Sequence, residues 1–260
     1  MIWQPYFVDE TKYKNLMERG VPIEVPSDAF KCNCGVELYS DSGNMSIAVY
    51  DDNLKAIRKL RKHNPIFNSI PNRDLILYND YLLDENITTV IVDGIFGTGK
   101  TSTLCSHLVS GLYNFLSGKE GIPKAYISKP HETLGKGYGY LPGDLEDKTL
   151  YEFSSYYQYF NRFGQPGLVD KLRNPEFDML EILVFEYLRG RDIEEGWVIL
   201  DEAQNTDYKE MISFVSRIGD DAKLIIIGDT SAYQIDKKSN SNEVNGLSFI
   251  KNLYVGKSYV

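Results

Sequence analysis

The chain has 260 residues, enough for one large α/β domain, or one with a small appendage, and for a full buried core. Hydrophobic residues make up 42% and charged residues 25%, an ordinary globular composition, and no apolar run approaches the ~18 residues of a membrane span. The net charge of −9 repels polyanions, which excludes a general nucleic-acid condenser and leaves only a local basic groove, or one formed between subunits.

The first six residues, Met1-Ile2-Trp3-Gln4-Pro5-Tyr6, lack the basic and apolar regions of a signal peptide, so the expected location is cytoplasmic, with no membrane partner. Residues 1–70 carry no chemical motif and read as an appendage, ahead of a motif-bearing domain over 71–260. Within the appendage Met45–Tyr50 looks extended. The segment Lys55–His63 holds five of the 28 lysines and arginines and reads as the solvated face of a helix, with a phosphate-contacting face as the alternative. Cys32, Cys34 and Cys105 are expected as thiols, because C-x-C without a second ligand cluster is a poor zinc pattern. His63, His107 and His131 have no ligand spacing.

The β-branched run Ile87-Thr88-Thr89-Val90-Ile91-Val92 predicts a buried strand, and Gly94-Ile95-Phe96-Gly97-Thr98-Gly99-Lys100-Thr101-Ser102 follows it directly. This is G-x-x-x-x-G-K-T, a phosphate-binding loop. Gly94, Gly97 and Gly99 let the backbone curl until several N–H groups aim at one anion. Thr98 and Ser102 lie inside the same cradle, Lys100 adds a point charge for β and γ phosphates, and Thr101 offers a hydroxyl to Mg²⁺ where the next helix begins. That helix shows in Leu104, Leu108, Leu112, Phe115 and Leu116.

Further strands are predicted at Lys124–Ser128, Glu181–Phe185, Trp197–Asp201 and Lys223–Asp229, each a continuous rather than alternating apolar run. Such runs belong to strands covered on both faces, so the fold class is α/β, a doubly wound parallel sheet. Between them the aromatics Tyr151, Phe153, Tyr156, Tyr157, Tyr159, Phe160 and Phe163 have the spacing of one buried helix face, with base stacking as the alternative. Trp197-Val198-Ile199-Leu200 ends in Asp201-Glu202-Ala203-Gln204-Asn205, a Walker B arrangement. There Asp201 is placed for the Mg²⁺ hydration shell and Glu202 for taking a proton from water. Gln234, beyond the strand ending Gly228-Asp229, is a candidate contact to the γ-phosphate or the lytic water.

Together these segments resemble the PhoH family of P-loop ATPases, whose core is similar to the first motor domain of superfamily 1 helicases. The resemblance runs from about residue 87 to 236. It includes Tyr138-Gly139-Tyr140-Leu141-Pro142-Gly143-Asp144-Leu145-Glu146-Asp147-Lys148, Tyr187-Leu188-Arg189-Gly190-Arg191 and Arg217-Ile218-Gly219. It implies a RecA-like, mostly parallel sheet with helices on both faces, ATP and Mg²⁺ as ligands, and ATP hydrolysis. It also implies homo-oligomeric rings, hexamers among them, and action on RNA or single-stranded DNA. An arginine that neutralises charge on the γ-phosphate is expected from a neighbouring subunit, with Arg189, Arg191 and Arg217 as candidates and a structural ion pair as the alternative for each. The chain departs from the family at Lys129-Pro130, where Arg-Pro is usual. Gln234 stands two residues further from Gly228-Asp229 than the family's G-D-x-x-Q places it, and no adenine-reading glutamine is evident around Asn72-Arg73-Asp74-Leu75. Two rival classes are a nucleotide-dependent scaffold with little turnover and a small-molecule kinase; the acid directly after Asp201 argues against the kinase.

Overall fold

The computed structural model describes residues 3–26, 28–30, 32–62, 72–130, 153–185, 191–231 and 245–254. The chain divides into two compact units, one built on residues up to Asn86 and the other spanning Ile87–Leu253.

The first unit contains β1 (Trp3–Val8), α1 (Glu10–Arg19), β2 (Ile23–Glu24), β3 (Cys34–Ser40), β4 (Met45–Asp51), β5 (Ala56–Arg58) and α2 (Arg73–Leu83). Its sheet runs β1-β3-β4-β5-β2, with β1 parallel to β3 and the other ladders antiparallel. Helix α1 starts where the Asp9 carboxylate accepts the Lys12 amide and stops at Gly20, whose φ of 72° suits a residue without Cβ. Tyr13 and Leu16 of that helix pack on Val36, Leu38, Tyr50 and Ile57 of the sheet.

The basic segment after Lys55 is not a helical face. Ala56–Arg58 is a strand, and the Arg58 guanidinium is buried. It donates from Nε to Asp51 at 2.7 Å, through Nη1 and Nη2 to Asp80 at 3.0 and 2.8 Å, and to Asp84 at 2.9 Å; Arg61 adds a bond to Asp84 at 2.8 Å. The bidentate fork leaves the charge fully spent on carboxylates. Burial alone would raise the Asp84 carboxyl, but the Arg61 charge, the Asn86 amide and the Arg58 charge outweigh it and hold it below the usual range. Asp80 and Asp84 tie α2 to β5, so α2 groups with the first unit, although the sequence reading divides the chain near residue 70.

The second unit is α/β. It contains β6 (Thr89–Asp93), α3 (Lys100–Leu116), β7 (Ala125–Lys129), α4 (Ser154–Phe163), α5 (Leu168–Arg173), β8 (Leu180–Val184) and β9 (Ile193–Leu200). A 3-10 turn (Ala203–Asn205), α6 (Tyr208–Val215), β10 (Ile218–Gly228) and α7 (Gly246–Tyr254) follow. The sheet order is β6-β10-β9-β7-β8, and every ladder is parallel. Val198, Ile199 and Leu200 of β9 and the whole run Ala222–Gly228 of β10 are buried, as continuous apolar strands under helices on both faces require. This is the RecA-like parallel sheet expected of a P-loop protein.

Parallel pairing has one consequence for chemistry. Every strand ends at the same edge, so the residues that follow β6, β9 and β10 come together there, and those that precede β9 and β10 gather at the opposite edge. Among the described residues no helix is long and apolar enough to cross a membrane.

Candidate functional site

The turn after β6 winds through Gly97 at φ 74° and Gly99 at φ 90°, left-handed conformations that penalise a side chain. A Cβ on Gly97 would meet nothing within 4 Å, so the space over the turn is open and could receive an anion. Gly99 caps α3 without any side-chain hydrogen bond, which leaves the first amides of the helix available to a negative ligand. Lys100 folds over the loop, its ammonium donating to the carbonyls of Gly94 and of Ile95, the latter at 2.9 Å, and Thr98 Oγ1 donates to Ile95 at 2.8 Å. Strand β6 ends in Asp93, which accepts from the Thr230 amide at 2.9 Å, from its hydroxyl at 2.7 Å and from Lys251 Nζ at 2.6 Å. Burial would raise the Asp93 carboxyl, but Lys251 and the two Thr230 donors outweigh it and hold it below the usual range. The root of the loop is thereby tied to the end of β10 and to α7.

Across the sheet edge β9 ends in Asp201 and Glu202. Asp201 is buried; its amide donates to Ser128 at 3.0 Å and its Oδ1 accepts the Glu202 amide at 3.0 Å. The chain turns at Glu202 with φ 55° and ψ 37°, a left-handed conformation that costs a non-glycine residue of order 1–3 kcal/mol. Strain of that kind is retained where the surroundings enforce it, and here they do. Gln204, itself 2% exposed, donates from Nε2 to Glu202 Oε2 at 2.6 Å and accepts the Asp229 amide on Oε1 at 3.0 Å. Glu202 is thus aimed by a bridge that reaches the end of β10.

Phosphate loop and carboxylates share one cleft of about 210 Å³, lined by Gly97, Thr98, Gly99, Lys100, Thr101 and Ser102 on one wall and by Asp201, Glu202, Ile227, Gly228, Tyr159 and Phe96 around it. The volume falls below the roughly 300–1,000 Å³ of pockets that enclose a whole drug-sized ligand, and suits the charged end of one. Glycine amides, an ammonium and a helix start make an anion cradle; a hydroxyl and a carboxylate beside it are hard oxygen donors of the kind a small divalent cation takes. Among the described residues no group of three or more His, Cys, Asp or Glu could hold a metal ion, so a cation here would draw most of its oxygens from water and the ligand's phosphates.

Of the arginine candidates, Arg191 and Arg217 lie elsewhere. Arg191 precedes β9 and grips Glu181, at the start of β8, through both Nη atoms, one at 3.0 Å. Arg217 precedes β10 and donates to the exposed Asp192 at 3.1 Å. Both occupy the amino edge of the sheet, and roughly 30 Å of extended chain separates Arg191 from Asp201. Arg189, Gln234 and the segment Tyr138–Lys148 fall outside the described residues.

The aromatic run after residue 150 divides in two. Phe153, Tyr156 and Phe160 are buried, as a helix face should be, whereas Tyr159 faces the cleft and stacks on Phe163 with ring planes 6° apart. Sequence reading missed Tyr159 and the bridging role of Gln204, which stood in the Walker B stretch without a task. The i, i+3 step from Tyr156 to Tyr159 predicts a shared buried face, so the aromatic spacing carries no signal for the cleft.

The family profile described as PhoH-like protein matches residues 76–258. A PhoH-like protein of Bacillus subtilis (strain 168) is 33% identical over 163 residues, 63% of this chain and 48% of the relative. Protein PhoH2 of the same organism is 30% identical over 186 residues, 68% of this chain and 39% of the relative, and Protein PhoH of Escherichia coli (strain K12) is 29% identical over 145 residues, 56% and 40%. The matched stretches thus span about half or less of these relatives' own lengths. With the family profile covering well over half of the sequence, on the very strands and loop that form the cleft, the chain belongs to the PhoH-like protein family of P-loop nucleotide-binding proteins.

Proposed function

We propose that this chain is an ATPase that works as a homo-oligomeric ring, with RNA or single-stranded DNA as the polymer it acts on. The observation that carries the reading is the single cleft that holds the phosphate loop with Lys100 on one wall and Asp201 and Glu202 on the other. Loop amides and the helix start receive the phosphates, and Lys100 exchanges the carbonyls of Gly94 and Ile95 for phosphate oxygens. Thr101 and Asp201 are the residues that would hold Mg²⁺, which supplies charge neutralisation on the β and γ phosphates. Glu202 accepts a proton from the attacking water while the bond between the γ-phosphorus and its bridging oxygen breaks; Gln204 keeps that carboxylate aimed.

The arginine that completes the site comes from a neighbouring subunit. In support, Arg191 and Arg217 both lie at the edge of the sheet away from their own cleft. Arg217, held by one bond to an exposed carboxylate, is the more readily released of the two. The polymer substrate rests on the resemblance of the core to a superfamily 1 motor, and a net charge of −9 requires that any nucleic-acid surface be local or shared between subunits.

The test is ATP hydrolysis by the wild type and by Glu202→Gln, each with and without single-stranded RNA or DNA. Turnover that the polymer stimulates and Glu202→Gln abolishes is the expected result. ATP binding with negligible turnover in both proteins would overturn it in favour of a nucleotide-dependent scaffold.

A further inference from the structure

Asp201 is held in a way that its place after β9 does not require. Oδ1 accepts the Glu202 amide, a local bond available at many strand ends. Oδ2 is gripped from two other elements: the Tyr156 hydroxyl of α4 donates to it at 2.9 Å, and the Lys129 ammonium, closing β7, stands 3.8 Å away. Tyr156 is 2% exposed and Asp201 3%, so the hydroxyl and the carboxylate meet out of water. Lys129 is steadied in turn by the rings of Phe153 and Tyr156, 5.6 and 5.3 Å from their centroids.

The choice of donors matters. Asp80 in the first unit is met by the two-pronged guanidinium of Arg58, which engages both carboxylate oxygens and spends the charge. Asp201 receives instead a neutral hydroxyl and an ammonium at a distance beyond a hydrogen bond. Oδ2 is pinned by the hydroxyl, and Oδ1 takes only the local Glu202 amide. A buried carboxylate needs donors in any case, but a donor set that pins one oxygen and leaves the other to a single local amide suits a group with a second task.

We propose that Tyr156 is a positioning residue for the divalent cation of the nucleotide complex, acting through Asp201, whose orientation its hydroxyl sets. The proposal rests on the reading of Asp201 as the carboxylate that serves that cation. Tyr156 does not line the cleft, so it exerts no direct contact on the phosphates. Lys129 supports the same oxygen; the arginine usual in the family at that position would bring a fork where this chain brings a point charge.

Tyr156→Phe removes the hydroxyl and keeps the ring that packs against Phe153. Binding of a fluorescent ADP is measured in EDTA, and Mn²⁺ binding to the protein·ADP complex by loss of the free-ion paramagnetic resonance signal. The expected result is a Mn²⁺ affinity weakened about tenfold, the scale of losing a partner that orients a metal-ligating group, with ADP binding in EDTA unchanged. The EDTA measurement also reports that the variant is folded. An unaltered Mn²⁺ affinity in Tyr156→Phe, beside a wild type whose ADP binding is strengthened by the cation, would overturn this proposal alone. A wild type whose ADP binding ignores the cation would overturn the nucleotide reading as well.

Discussion

At its carboxyl edge the parallel sheet ends in carboxylates that take hydrogen bonds from neutral donors: Asp201 pinned by a hydroxyl, Glu202 bridged by an amide. At its amino edge the same strands begin in ion pairs that close on each other, Arg191 on Glu181, Lys124 on Asp178 and Glu181, and Arg217 on Asp192. Hydrogen bonding to Glu181 raises the Arg191 guanidinium further, and Asp178 with its neighbours raises Lys124 despite burial. Strand polarity alone puts β9 and β10 into both edges. The difference teaches that the starts of these strands are closed by charge on charge, whereas at their ends, where among the described residues Asp93 alone takes a close ammonium from Lys251, Asp201 and Glu202 take their hydrogen bonds from neutral donors beside the helix start and turn amides.

The sharpest way to test the active edge is Glu202→Gln, which is expected to lower ATP turnover by roughly 10²–10⁴-fold while nucleotide affinity, measured by equilibrium binding, stays within a few-fold. Next comes the amino edge seen from a neighbouring subunit. Arg217→Ala is expected to cut turnover of the assembled protein about 10³-fold without weakening ATP binding, and mixing it with Lys100→Ala subunits should restore part of the activity, because each supplies what the other lacks. Unchanged turnover per subunit on dilution to monomers would sink the shared site.

The buried cluster of the first unit gives the comparison a fixed reference, charge entirely consumed by structure. Asp80→Ala, which takes the bidentate partner from the buried Arg58 and leaves it Asp51 and Asp84, should cost about 1.5–3 kcal/mol in urea unfolding. Arg191→Ala, by contrast, breaks a pair whose arginine side chain is 46% exposed and should cost no more than about 1 kcal/mol, read as a shift in the same midpoint. The smallest effect is at the root of the phosphate loop. Because the folded Asp93 carboxyl lies below its ordinary 3.8, its contribution is present above that pH and is lost as pH falls through the lower folded value. A denaturation series from pH 6 to pH 3 should show that slope, and Lys251→Met should flatten it.

Much of the second unit was legible in the sequence because its demands are local. Gly97 and Gly99 are required by positive φ at their own positions, and continuous apolar runs such as Ala222–Gly228 declare strands covered on both sides without reference to their neighbours. The first unit was not legible in the same way. Its strands are short, and the basic stretch Lys55–His63 has the pattern of a solvated helix although Ala56–Arg58 is a strand with a buried arginine. What makes burial of Arg58 favourable is Asp51, Asp80 and Asp84, two of them more than twenty positions away. No window on the sequence contains them together.

The same divide runs through the cleft. Sequence alone determined the family, the phosphate loop, the Walker B carboxylates and the parallel sheet that joins them, since glycine spacing and apolar runs are properties of neighbouring residues in the chain. Tertiary structure decided that Tyr156 reaches Asp201 from α4, that Gln204 links Glu202 to β10, that Tyr159 faces the cleft while Phe160 beside it is buried, and that Arg191 and Arg217 stand at the far edge. Those assignments depend on distances between segments far apart in sequence, which only the packing of helices on a parallel sheet brings within hydrogen-bond reach.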